Sequence, residues 1–324
     1  MQPALLADSV LPLEVEIEFT NHCNAHCTAC PRADMPNSGM LRPDTLQHIL
    51  AIVGDIRAET LRTAVETGAE LPRITVAGGG EPFLHRDALS LLRQIRSTTP
   101  ELHVITNGSA ITPGRASELV ALEPASITCS FWGICEAEYE AAMSLPFERT
   151  LARVEHLGRL CADAGIAFEI SWVRTPEIRS TDEEIAAFWI RRDIPIGMSN
   201  SAMWNRAGLL DGKAAWKPAP GVRAPDSSRR IWCSEISLSV AFDWSGRCIL
   251  CCCGYFDRRT TVLGNAADDD WATLRDRKRA ILDERPLPAP CRSCLLPRRA
   301  QAEWLAAPVT SLLSGAERAD LFYQ

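Results

Sequence analysis

The 324-residue chain contains no run approaching the ~18 consecutive apolar residues that a membrane-spanning helix needs. Residues 1–11 hold no basic segment ahead of an apolar core, so a secretory signal is not expected. A basic surplus is also missing. With 34 basic against 41 acidic side chains the net charge is −7, which makes nucleic acid a poor partner. Aromatics are few, at 6%, while 46% apolar and 23% charged residues exclude a disordered chain. Together these features lead to the expectation of a cytoplasmic, enzymatic protein with no membrane and no nucleic-acid partner. What the chain has in excess is cysteine, 13 in all. An odd count without a secretion signal argues against a disulfide framework, because the cytosol keeps thiols reduced. Three lie between positions 23 and 30 and seven between 233 and 294, a distribution that suggests two metal centres.

Residues 13–19 alternate apolar and acidic side chains with period two, as a half-buried strand does. Further strands are expected at 74–77, 103–106, 126–130, 167–173 and 194–199. Helices are expected at 42–67, 87–97, 113–122, 146–164 and 181–192. Six strands alternating with helices point to an α/β class, a parallel sheet curled into an open barrel. Residues 217–226 carry three prolines and read as a linker. Segments 236–242 and 247–252 flank Asp243-Trp-Ser-Gly246, a hairpin signature. A helix is expected at 268–282. The organisation is therefore a barrel over 1–210, a linker over 211–231, a small domain over 232–300 and a helical tail over 301–324.

Cys23, Cys27 and Cys30 follow the first strand directly, in C-x3-C-x2-C spacing. Three thiolates can hold three irons of a [4Fe–4S] cube and leave the fourth open to a ligand. Zinc is the alternative, with His26 as a fourth ligand. The motif resembles that of the radical S-adenosylmethionine (SAM) superfamily. That resemblance implies a partial (β/α)6 barrel, with SAM bound at the open iron and cleaved to a hydrogen-abstracting radical. The position before the third cysteine, often aromatic in the family, is Ala29. Gly78, Gly79, Gly80, Glu81 and Pro82 stand 48 residues after Cys30 and resemble the family's loop for the SAM amino group. Asn107, Ser130, Glu169 and Arg174 are further candidates for cofactor contacts at strand ends, and Phe131-Trp132 stand where an aspartate is often found. Electrons would come from a flavodoxin- or ferredoxin-type reductant.

Cys233 is followed after twelve residues by Gly246 and after four more by Cys251, with Cys291-x2-Cys294 forty positions on. This resembles the SPASM/twitch extension, and no cysteine follows Cys294, as in the twitch form. The resemblance implies a second [4Fe–4S] cluster on Cys233, Cys251, Cys291 and Cys294; a zinc ribbon is the alternative. Of the remaining thiols, Cys129, Cys135 and Cys161 are expected to be small buried hydrophobes. Cys248, Cys252 and Cys253 crowd Cys251, and alternation along a strand would put Cys253 on its side. Cys253 is thus the expected hydrogen donor of an epimerase acting in natural-product biosynthesis, with Cys248 and Cys252 in reserve. Twitch relatives act on sugars and aminocyclitols or on ribosomal peptides. The dozen residues before the first strand leave no room for a leader-binding domain, which favours a small molecule, and the net charge suits a cationic aminoglycoside. Dehydrogenation, peptide maturation and a non-catalytic metal scaffold are the alternatives.

Overall fold

A computed structural model describes residues 11–32, 35, 38–67, 71–192, 197–202, 206–211, 236, 238–257, 260–283 and 288–294. The expected tail over 301–324, the linker prolines and Cys233 lie outside the described residues.

Strand β1 (Glu14–Ile17) buries Val15 and Ile17 completely beneath the helices and turns Glu14 and Glu16 to the other face. Helix α1 (Pro43–Thr67) opens on proline, whose fixed φ suits a first turn, and buries Leu46, Ile49, Val53 and Ile56 at helical spacing. The barrel continues with β2 (Arg73–Val76), α2 (Ala88–Arg96), β3 (Leu102–Thr106), α3 (Pro113–Val120) and β4 (Ser126–Ser130). Helices α4 (Glu136–Met143) and α5 (Phe147–Ala164) then lead to β5 (Ala167–Arg174), α6 (Asp182–Ile190) and β6 (Gly197–Ala202). All neighbours from β1 to β6 pair in parallel, which gives the expected partial (β/α)6 barrel. The expected strands and helices of this part fall within a few residues of their observed ends. Helix α4 was not expected. It is held by an aromatic cluster, with the Phe131 and Tyr139 rings stacked at 4.2 Å and Trp189 edge-on to Phe131 at 5.2 Å.

The C-terminal hairpin extends the barrel sheet. Its first strand, β7 (Ser239–Phe242), pairs in parallel with β1, register Glu14↔Ser239 to Ile17↔Phe242. Strands β8 (Arg247–Ile249) and β9 (Val262–Asn265) follow antiparallel, so one nine-stranded sheet runs β6-β5-β4-β3-β2-β1-β7-β8-β9. Helix α7 (Trp271–Asp283) docks on α1 through Glu59, which accepts from the Trp271 indole and from Arg275, each at 2.6 Å. Short helix α8 (Ala289–Ser293) carries Cys291. Among the described residues no helix is long and apolar enough to cross a membrane.

Glu138 in α4 accepts hydrogen bonds from the backbone N–H groups of Ile134, Arg179 and Ser180, at 3.2, 2.9 and 2.7 Å. Burial pushes its carboxyl up, but the hydrogen bonds from Ser180, Ile134 and Arg179 together outweigh it and hold the carboxyl below the ordinary range. Glu138→Ala would orphan these donors and is expected to cost about 2–3 kcal/mol in urea unfolding at pH 7. Because the depressed carboxyl stabilises only when ionised, the difference from wild type should shrink as pH falls through its folded pKa.

Candidate active site at the mouth of the barrel

The cysteine loop sits at the carboxyl end of β1, where α/β barrels assemble their sites. Its backbone is tied down from two sides. His26 and Thr28 donate to the carbonyls of Met143 and Ala142 at the end of α4, at 3.0 and 2.9 Å. The Arg32 guanidinium reaches back to the carbonyls of Cys23 and Ala25, at 3.0 and 3.2 Å, while its buried Nε has no hydrogen-bond partner among the described residues. Burial pushes the Cys23 thiol up to about 11 and the Cys27 thiol well above its ordinary range. Metal ligation must therefore displace protons, and the cation's charge reverses the burial penalty. Among the described residues no three His, Cys, Asp or Glu side chains converge as a single ion would require. A cube fits this donor set, since it takes one thiolate per corner, and Cys23, Cys27 and Cys30 would hold three of its irons.

The glycine segment closes over this loop. A Cβ on Gly80 would stand 2.2 Å from the Thr20 carbonyl and 2.5 Å from that of His22, so no other residue fits there. Glu81 is buried and gathers three donors: Thr106 Oγ1 and Asn107 N–H at 2.7 Å, and Phe83 N–H at 3.1 Å. Burial raises the Glu81 pKa in spite of these bonds. Its own N–H donates to the His22 carbonyl at 2.8 Å, which joins the ends of β1, β2 and β3 in one knot. Asn107 continues the knot, with Nδ2 at 3.1 Å from Asn24 Oδ1 and 3.8 Å from Cys23 Sγ.

Below the loop lies a cavity of about 310 Å³. Cys23, Cys27, Cys30, Gly78, Gly79, Gly80, Glu81, Asn107 and Ser130 line it. Pro82 is buried and is not among the described lining residues. Glu169 and Arg174 are not among the described lining residues. Arg174 instead donates to the Ser180 carbonyl at 2.5 Å and pairs with Asp182 at the start of α6. Glu16, Thr128 and Ser171 give the barrel side of the cavity a carboxylate and hydroxyls, beside Ser130. Trp132 and Arg32 also line it. Their contribution was not foreseen, although both flank residues that were singled out.

The opposite end of the chain supplies another wall, formed by Cys252, Tyr255 and Phe256. The expected strand alternation fails here, because β8 ends at Ile249 and Cys252–Tyr255 wind into a 3-10 turn. Cys252 therefore faces the cavity. Cys253 is buried, its thiol hydrogen-bonded with those of Cys251 and Cys252. Cys248 is fully buried, and its thiol is pushed up to about 12 by desolvation. Cys129 and Cys161 are buried as expected, whereas Cys135 is exposed at the start of α4. Cys291 is buried and Cys251 and Cys294 half-buried; Cys233, the remaining expected ligand, lies outside the described residues.

The sequence pattern described as the radical SAM superfamily matches residues 17–187. The AdoMet-dependent heme synthase of Methanosarcina barkeri is 24% identical over 194 residues, 59% of this chain and 50% of that protein. The chain thus spans half the length of that relative. Solved structures share the fold, among them the following two. BtrN in complex with AdoMet and 2-DOIA superposes with a TM-score of 0.55 at 14% identity, covering 89% of this chain and 94% of that one. SuiB of Streptococcus suis, bound to precursor peptide SuiA, gives 0.59 at 16% identity, covering 88% and 67%.

Replacing Cys23, Cys27 and Cys30 together by alanine should remove the iron held at this loop and all reductive cleavage of SAM. 5′-Deoxyadenosine formed by the triple variant with dithionite would refute the ligand assignment.

Proposed function

The chain belongs to the radical SAM superfamily, and from that premise we propose that it epimerises a carbon centre of a small amine-bearing polyol of the aminoglycoside or sugar type. When bound, SAM and the reduced cluster supply a radical that removes one substrate hydrogen atom. The observation behind the proposal is the composition of the cavity lining, with Glu16, Thr128, Ser130 and Ser171 from the barrel strands and Cys252 from the C-terminal turn. Hydroxyls and a carboxylate suit a polyol bearing an ammonium group.

The chain's own part is to return a hydrogen atom. A thiol S–H is weak enough to be given up to a carbon radical, and Cys252 takes the donor role for which Cys253 was expected. The new C–H bond completes the inverted product, and the thiyl left behind regains one electron and one proton. A flavodoxin- or ferredoxin-type reductant supplies the electron. An auxiliary cluster on Cys233, Cys251, Cys291 and Cys294 would relay it, next to the Cys252 and Cys253 thiols. The same adjacency favours a second reading. A substrate radical that lost a proton and passed its electron to that cluster would leave as an oxidised product, without a hydrogen donor.

Turnover in D2O is expected to place one solvent deuterium in an inverted product of unchanged oxidation state. Cys252→Ala should still cleave SAM but yield no inversion, and Cys253→Ala should retain inversion. A product two hydrogens lighter, formed equally well by Cys252→Ala, would establish the dehydrogenase. A modified peptide would move the substrate class.

A further inference from the structure

Glu18 leaves β1 fully enclosed, at 2% exposure, and the chemistry outlined above makes no use of it. Burial pushes its pKa up to about 8. An apolar residue would occupy such a position without that penalty. Its two oxygens take different partners: Oε1 accepts from the Gly79 N–H at 2.7 Å and Oε2 from the Trp244 N–H at 3.3 Å. The first bond orients a peptide plane. In a trans peptide the carbonyl of Gly78 points opposite to the N–H of Gly79. With that N–H held on Glu18, the Gly78 carbonyl is turned away from Glu18. Gly78 adopts φ +138°, and a Cβ there would lie 2.7 Å from the Glu18 side chain, so the plane stands this way only with glycine. Gly78, Gly79 and Gly80 all line the cavity.

We propose that Glu18 is a positioning residue for SAM binding, holding the Gly78–Gly79 peptide so that the Gly78 carbonyl is presented to the SAM ammonium group. The second oxygen anchors the same carboxyl to the turn between β7 and β8, so the C-terminal hairpin braces the cofactor loop. The inference rests on SAM occupying the glycine loop and is independent of the substrate assignment.

Equilibrium binding to the cluster-loaded protein tests it, with two probes, SAM and the analogous sulfonium lacking the α-amino group. Glu18→Met fills the volume without an acceptor. It should weaken SAM binding about tenfold and leave the deaminated probe within twofold of wild type. Glu18→Gln keeps an acceptor for Gly79 and should restore SAM affinity to within twofold. Equal losses for both probes, or no loss for SAM, in Glu18→Met would overturn the proposal. If that variant fails to retain iron, Glu18→Gln decides alone, and a tenfold loss of SAM affinity in it would be the contrary result. Binding that behaves as expected in a protein that does not invert a polyol would leave Glu18 in place and remove only the substrate assignment.

Discussion

The site depends on the Glu81 carboxylate. Three donors from two strand ends converge on it, and its own amide binds the chain just ahead of Cys23. A buried carboxylate is tolerated only when its lone pairs are used, and charge-assisted bonds of this kind are roughly twice as strong as neutral ones. The Glu81 amide ties the glycine loop to the cysteine loop at His22 while its carboxylate ties it to the end of β3, so this one residue places all three relative to one another. The close approach of Gly80 to the Thr20 and His22 carbonyls enforces the same placement sterically.

Around this knot the C-terminal hairpin acts as a continuation of the barrel. Strand β7 takes the free edge of β1, and the buried Lys278 of α7 donates to the Ser239 carbonyl at 2.5 Å, fastening the helix behind it. The turn after β8 then has to close the cavity from the side where a complete barrel would have further strands. This is why Cys252, Tyr255 and Phe256 reach a space otherwise bounded by the cofactor loops. One wall is thereby made of thiol and aromatic groups and the other of barrel hydroxyls.

The barrel was legible in the sequence because its strands are short segments alternating apolar and polar residues between amphipathic helices, as at 126–130 and 146–164. The cysteine and glycine motifs were legible because the chemistry demands particular residues at particular spacing. Helix α4 was not, since its apolar moment is slight and its stability comes from Tyr139 stacking on Phe131 and from Glu138 binding a distant loop. Pairing of β7 with β1 joins residues more than 220 positions apart, which no local pattern reveals. The side on which each thiol of Cys251, Cys252 and Cys253 lies depended on where β8 stopped. Period-two reasoning assumed that the strand continued, and the 3-10 turn moved Cys252 into the cavity instead of Cys253. Likewise Arg174 has the charge for a carboxylate ligand, but Asp182 at the start of α6 takes it.

The central claim is that Cys23, Cys27 and Cys30 leave one iron open for SAM beneath the glycine loop. Electron–nuclear double resonance on the reduced protein, with SAM carrying 15N in its amino group, reads this directly. A 15N coupling to the cluster is the result the account predicts. A cluster signal without that coupling, in a sample where SAM is shown to be bound, would contradict it.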